Sequence, residues 1–201
     1  MEPSIHESMV KEKPNLVSLL KEELNDLLQN WSYLVGKGKK QLAPDDFTTE
    51  EALELSKKYS NTIGHIAQSS LTGESYWPNW RNLRIAERLT DLYQGKGVPP
   101  LGHRGCFKYS PNGGMGWHTN NNAPGIRIYF TYTSEGNKSF FRYQDYDTKE
   151  IVTSWDTGGW QAREFTIDPE RPLWHCVGTK DVTRYSVGLG GERPRSMEIY
   201  L

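Results

Sequence analysis

The chain has 201 residues, a formal net charge of −1, 24% charged and 35% hydrophobic residues, and 12% aromatics. That length suits one domain, or one domain with a helical extension. The near-zero charge excludes a global basic field for nucleic acid, no apolar run nears the ~18 residues of a membrane-spanning helix, and two cysteines make no disulfide framework.

The first twenty residues lack an apolar core ahead of a small-residue cleavage site, so a cytoplasmic location is expected. Cys106 and Cys176 then read as buried thiols in a reducing compartment.

Leu16, Leu19, Leu20, Leu24, Leu27, Leu28, Trp31, Leu34 and Val35 recur at three- and four-residue steps. This predicts one amphipathic helix of about five turns, capped by Asn15 and ended by Gly36, and offers a surface for a homodimer. Thr48-Thr49-Glu50-Glu51 reads as a capping box opening a weaker helix with Ala52, Leu55, Tyr59, Ile63 and Ile66. A third helix is expected around Leu83, Ala86, Leu89 and Leu92, ending at Gly95. Residues 95–100 (GKGVPP) break the pattern, which separates a helical region, 1–96, from a β region, 97–201.

In the second region short strands are expected at 104–109, 115–119, 125–133, 139–144, 149–155, 160–167, 172–177, 182–190 and 196–201, with turn chemistry between them. So many short strands without an intervening helix predict a sandwich, jelly roll or barrel.

Five histidines are present. His6, His65 and His103 carry no pattern beyond surface or core roles. Around His175, Gly178-Thr179-Lys180-Asp181 is good hairpin-loop material, which would pair Val177 with Val182 and set His175 opposite Arg184. Ser186, two residues on, would share that face. An imidazole, a guanidinium and a hydroxyl then point one way, and a dicarboxylate could bridge a metal on the first to the second. Period two also puts His118 and Asn120 on one face of a strand, with Tyr109 returning beside His118 across a Pro-Asn-Gly-Gly turn.

The ordered set Tyr109, His118-x-Asn120, His175 and Arg184-x-Ser186 resembles the signature of the Fe(II)/2-oxoglutarate-dependent oxygenases, in particular their prolyl-hydroxylase-like and AlkB-like members. The resemblance covers roughly residues 100–192. It implies an α+β fold: a double-stranded β-helix (a cupin-like jelly roll) with the N-terminal helical region packed on it. It also implies Fe(II) on His118, Asn120 and His175. 2-Oxoglutarate would be held by Tyr109, Arg184 and Ser186, with O2 consumed and succinate and CO2 released.

The family has a carboxylate where this chain has Asn120. Asn120 could coordinate through its amide oxygen, or leave the metal with two histidines and a water or anion. The site could be noncatalytic, or a carboxylate could come from Asp145, Asp147 or Asp156. The activity implied is hydroxylation of a small molecule, amino acid or protein side chain. The rival is a jelly-roll binding module for a metal or small acid. Trp117 and Trp174, which precede the two histidines, are expected to face the helices. Arg142–Asp147 reads as a hairpin turn or a lid over the site mouth, and Arg127 as a structural ion pair or a contact to substrate or 2-oxoglutarate.

Overall fold

The structure, a computed structural model, describes residues 8–31, 36–38, 47–59, 74–76, 80–94, 98, 100–120 and 123–192. In chain order these form β1 (Val10–Glu12), α1 (Pro14–Leu19), α2 (Lys21–Gln29), β2 (Gly36–Gly38), α3 (Glu50–Tyr59), β3 (Glu74–Tyr76) and α4 (Trp80–Tyr93). Eight longer strands follow: β4 (Gly102–Tyr109), β5 (Gly114–His118), β6 (Gly125–Thr133), β7 (Ser139–Gln144), β8 (Ile151–Trp155), β9 (Gly159–Ile167), β10 (His175–Thr179) and β11 (Arg184–Glu192).

These strands form two antiparallel sheets. The larger has the order β1-β9-β6-β11-β4-β3-β2, the smaller β5-β10-β7-β8. From β4 onward successive strands alternate between the sheets except at β7–β8, so β4, β6, β9 and β11 face β5, β7, β8 and β10. That is the double-stranded β-helix, a jelly roll, here with helices on one face: an α+β fold.

Period two sorts the side chains. From the large sheet Ile128, Phe130, Ala162, Val187 and Leu189 point outward and share one core with Leu16, Leu20, Leu24, Leu27, Trp31, Ile85 and Leu89 of the helices. The apolar stripe of the first helix is thus spent on the chain's own sheet. From the inner faces Tyr109, Phe141, Tyr143, Phe165, Ile167, Leu173 and Val177 fill the space between the sheets.

Several local expectations are corrected. The first helix is two: Leu20 interrupts it, and the start lies two residues earlier, with Lys13 at the cap position in place of Asn15 and Pro14 in the first turn, where its missing N–H costs nothing. Gly36 lies in β2, not at a helix end. In α3 the cap is Thr49, whose hydroxyl accepts from Ala52 N at 3.2 Å. Leu53 faces inward in place of Leu55, which is 55% exposed. Strand 196–201, the residues Leu34, Val35, Ile63 and Ile66, and Gly95 lie outside the described residues, as do His6 and His65.

The larger correction concerns His175 and Arg184. They do not sit opposite each other in a hairpin. β10 pairs with β5 and β7, while β11 pairs with β4 and β6. Residues 180–183 cross from one sheet to the other. Lys180 N donates to Lys138 O at 2.8 Å, and Asn112 N to Lys180 O at 2.6 Å, so the crossing loop is tied to two neighbouring loops. Likewise Tyr109 is not beside His118 in one sheet: its register partner is Arg184.

Candidate functional site

The inward positions stack in rungs. On the large sheet Arg184 pairs with Tyr109 and Thr133, Ser186 with Phe107 and Thr131, and Gly188 with Gly105 and Tyr129. On the small sheet His175 pairs with His118 and Tyr143, and Val177 with Met115 and Phe141. A cavity of about 70 Å³ between these rungs is lined by His118, His175 and Asn120, by the aromatic rings of Phe107, Tyr109, Tyr129 and Phe141, and by Ser186 among others. Gly188 leaves its wall open: a Cβ there would meet the Tyr129 ring at 2.7 Å.

His118 and His175 meet across the β5–β10 ladder, with ring centroids 4.1 Å apart. Each is oriented by a carbonyl two residues back in the chain. His118 Nδ1 lies 2.8 Å from Gly116 O, and His175 Nδ1 lies 2.8 Å from Leu173 O. A carbonyl only accepts, so both rings carry the proton on Nδ1 and keep the Nε2 lone pair. Burial pushes the His118 imidazole down to about 4, against its bond to the Gly116 carbonyl. Burial, and then His118 beside it, holds His175 well below the ordinary range. Phe141 stacks on His175 at 5.3 Å and Phe165 packs at 5.6 Å, fixing the ring plane.

Asn120 completes this end. Its Nδ2 lies 3.2 Å from His175 Nε2, as donor to that lone pair. Its backbone has φ 56, left-handed, a region that Asn enters more readily than most residues. A half-turn of the amide would exchange Nδ2 for Oδ1 at the same place. Two neutral imidazole nitrogens and one amide oxygen are a donor set that a divalent transition ion accepts, and the orienting carbonyls are the partners such ligands use. The residues present therefore fit a metal.

The other end is different. Arg184 is 1% exposed and lies one rung below Ser186. Its Nε donates to Asp156 Oδ2 at 2.9 Å and its Nη2 to Thr131 Oγ1 at 3.2 Å; its guanidinium carbon is 5.7 Å from the Tyr109 ring centroid. Burial raises the Tyr109 hydroxyl well above its ordinary range, against the pull of Arg184, so it stays a neutral donor. Asp156 is fully buried and also accepts from Arg163 Nη1 at 2.7 Å, Gln161 Nε2 and Ser139 Oγ. Burial opposes its ionisation, but the Arg184 and Arg163 charges and the Ser139 hydroxyl hold the carboxyl below its usual range.

The expected site residues thus come together in one barrel, with His118, Asn120 and His175 at one end, Tyr109 and Ser186 along the wall, and Arg184 beneath. The three carboxylates weighed as metal ligands lie elsewhere. Asp145 caps the β7–β8 turn through Asp147 N and Thr148 N, Asp147 pairs with Arg171, and Asp156 is at the Arg184 end. Among the described residues no group of three or more His, Cys, Asp or Glu is placed to hold a metal ion. Arg127 donates to the carbonyls of Ile126 and Ala123. Trp117 and Trp174 pack outward with Leu53 of α3, as expected. The 142–147 stretch ends β7 and makes the turn. Both cysteines are buried and free, and no helix among the described residues is long and apolar enough to cross a membrane.

No family model and no curated protein matches the sequence. Among solved structures the chain is similar to a prolyl-4-hydroxylase from Pseudomonas putida, at 13% identity and a TM-score of 0.48, over 85% of this chain and 99% of that one. It is similar to a prolyl hydroxylase from Trichoplax adhaerens, solved with a hypoxia inducible factor peptide fragment, at 14% identity and a TM-score of 0.47, over 89% and 91% of the two chains. It is also similar to the Drosophila melanogaster CENP-C cupin domain, at 13% identity and a TM-score of 0.35, over 84% and 95%. The jelly-roll assignment itself rests on the strand order.

Proposed function

We propose that this chain is an Fe(II)- and 2-oxoglutarate-dependent oxygenase, most simply a hydroxylase. One observation carries the reading: two carbonyl-oriented imidazoles and an amide converge at one end of a cavity whose wall holds Tyr109 and Ser186 and whose next rung is Arg184. His118 and His175 hold Fe(II) through Nε2, and Asn120 through Oδ1. The far carboxylate of 2-oxoglutarate goes to Ser186, the Tyr109 hydroxyl and the Nη end of Arg184. When bound, Fe(II) and 2-oxoglutarate supply the oxidation by O2 that yields hydroxylated product, succinate and CO2.

The protein's own part is orientation and dryness. The Gly116 and Leu173 carbonyls fix both tautomers, so metal binding need not first displace a proton from Nε2. Phe107, Met115, Phe141 and Val177 line the middle of the cavity with apolar surface, where a charge-assisted bond to Arg184 is stronger than in water. The substrate this reading favours is a free small molecule or amino acid, ahead of a protein side chain. A homodimer through the first helical region would have to use surface outside its buried stripe, such as Leu19, which is 49% exposed.

A second reading is favoured by the neutral third donor: a jelly-roll binding module that holds a metal or small acid without turnover. Anaerobic addition of Fe(II) and 2-oxoglutarate separates the two. The oxygenase should give the weak visible charge-transfer band of the chelate and form succinate on admission of O2. Chelate without succinate leaves the binding module, and neither signal rejects the site.

A further inference from the structure

We infer that Asp156 is a positioning residue for the co-substrate, acting through Arg184; this rests on the oxygenase reading above. Its two oxygens accept from four donors: Arg163 Nη1 and Gln161 Nε2 on Oδ1, Arg184 Nε and Ser139 Oγ on Oδ2. Four donors fill the lone pairs of a carboxylate. With no exposure to solvent, this group is locked and has no capacity left for a ligand or a metal.

The lock sets the direction of Arg184. Its Nε end is held at Asp156. Its Nη2 end reaches Thr131, which stands directly opposite Ser186 in the β6–β11 register, and Ser186 lines the cavity. The guanidinium therefore runs from the locked carboxylate to the Thr131–Ser186 rung, and its Nη end lies one side chain behind the cavity lining. A free arginine would lose side-chain entropy on gripping an anion; Asp156 has that ordering done in advance.

Charge points the same way. The buried groups at this end are two guanidiniums, Arg163 and Arg184, and one carboxylate, Asp156. Glu12, the further partner of Arg163 at 2.9 Å, is 53% exposed and shares its charge with solvent. One incoming carboxylate would balance the buried set.

The test compares two ligands on the full-length protein loaded with Mn(II). 2-Oxoglutarate has the far carboxylate; oxalate chelates a metal without one. Asp156→Asn returns one acceptor as a donor, which neither arginine can use. Calorimetric titration should show 2-oxoglutarate weakened roughly 10–100-fold, the scale of a lost charge-assisted bond, with oxalate and Mn(II) affinity unchanged. Unchanged 2-oxoglutarate affinity, or oxalate weakened as much, would overturn the assignment, the latter by making Asp156 a general support of the fold. Should Asp156→Asn not fold, Ser139→Ala removes one donor from Oδ2 and keeps the charge. It should weaken 2-oxoglutarate by a few-fold and oxalate not at all, and no effect on either overturns the proposal. If the wild-type protein binds Mn(II) but neither ligand, the oxygenase reading itself falls and Asp156 with it.

Discussion

At one end of the barrel the polar side chains are held by backbone carbonyls; at the other they are held by one another's charges. His118 and His175 each lean on a carbonyl two residues back in the chain, so their orientation is local. Arg184, Asp156 and Arg163 come from three different segments and hold together across the barrel. At the histidine end both imidazoles are neutral and joined to no carboxylate, although the buried Arg127 guanidinium adds to the lowering of His175. The arginine end is ionic and prearranged. A ligand that must be negative at one extremity and chelating at the other would find its two halves already separated.

The comparison can be broken at either end. The largest effect is expected from His118→Ala and His175→Ala, each of which should abolish tight Fe(II) or Mn(II) binding. Strand ladders do not depend on these side chains, so far-UV circular dichroism should stay native. Metal retained at wild-type stoichiometry in both variants would remove the histidines from the site.

Arg184→Ala should act at the opposite end only. It should weaken 2-oxoglutarate by an amount on the order of 2–5 kcal/mol and leave Mn(II) affinity alone. It also strips Asp156 of one partner, so stability should fall by roughly 3–5 kcal/mol, the cost of breaking a buried pair. Calorimetry and denaturant melts read the two effects separately. Arg184→Lys should recover part of the binding, since the charge returns without the fork.

Acid should separate the ends in sequence. His118 drops from an ordinary value of 6.5 to about 4 on folding. Between those values the unfolded chain binds a proton that the folded one refuses. Stability that is complete above pH 6.5 is therefore lost as pH falls toward 4, by about 3 kcal/mol from this group. Asp156 is held below its ordinary 3.8, so its contribution is present above that pH and goes only at lower pH. Urea melts of metal-free protein across this range should show the histidine loss first, and in His118→Ala the loss above pH 4 should shrink.

The smallest effect concerns Asn120. Asp is nearly isosteric and also tolerates left-handed backbone. Asn120→Asp should raise Fe(II) affinity by about tenfold and make it fall as pH drops, because a carboxylate must be deprotonated to bind. Anaerobic titrations at two pH values check this. Equal affinities for both forms would show that the Asn120 side chain serves only the hydrogen bond to His175.

How far this was legible in the sequence varied with the range of the interaction involved. The strands at 125–133 and 139–144 follow from alternation alone, and the structure gives Gly125–Thr133 and Ser139–Gln144. β1, β2 and β3 were not foreseen, because three residues are too few to show a period. The break at Leu20 was hidden by the leucine spacing that runs through it. The Gly178–Asp181 stretch has hairpin chemistry, but turn residues do not report which sheet the next strand joins. His175 therefore pairs with His118, distant in sequence, and not with nearby Arg184. Inward parity survives the crossing, which is why the residues still meet. Asp156 carries no motif: its role depends on donors from β7, β9 and β11, and only the closed barrel brings them together.

One consequence follows from the sheet order. Among the described residues β5, which carries His118, has a single neighbour, β10, so it is an edge strand of the described sheet. Edges with unpaired backbone groups invite strands from other molecules. Here Trp117 donates its indole N–H to Thr49 O at 2.8 Å, and Arg142 Nη1 donates to Thr48 O at 2.7 Å, which seats the start of α3 against the outer face of this sheet. The clasp between Trp117 and the helix start thus braces the edge strand from the sheet's outer face.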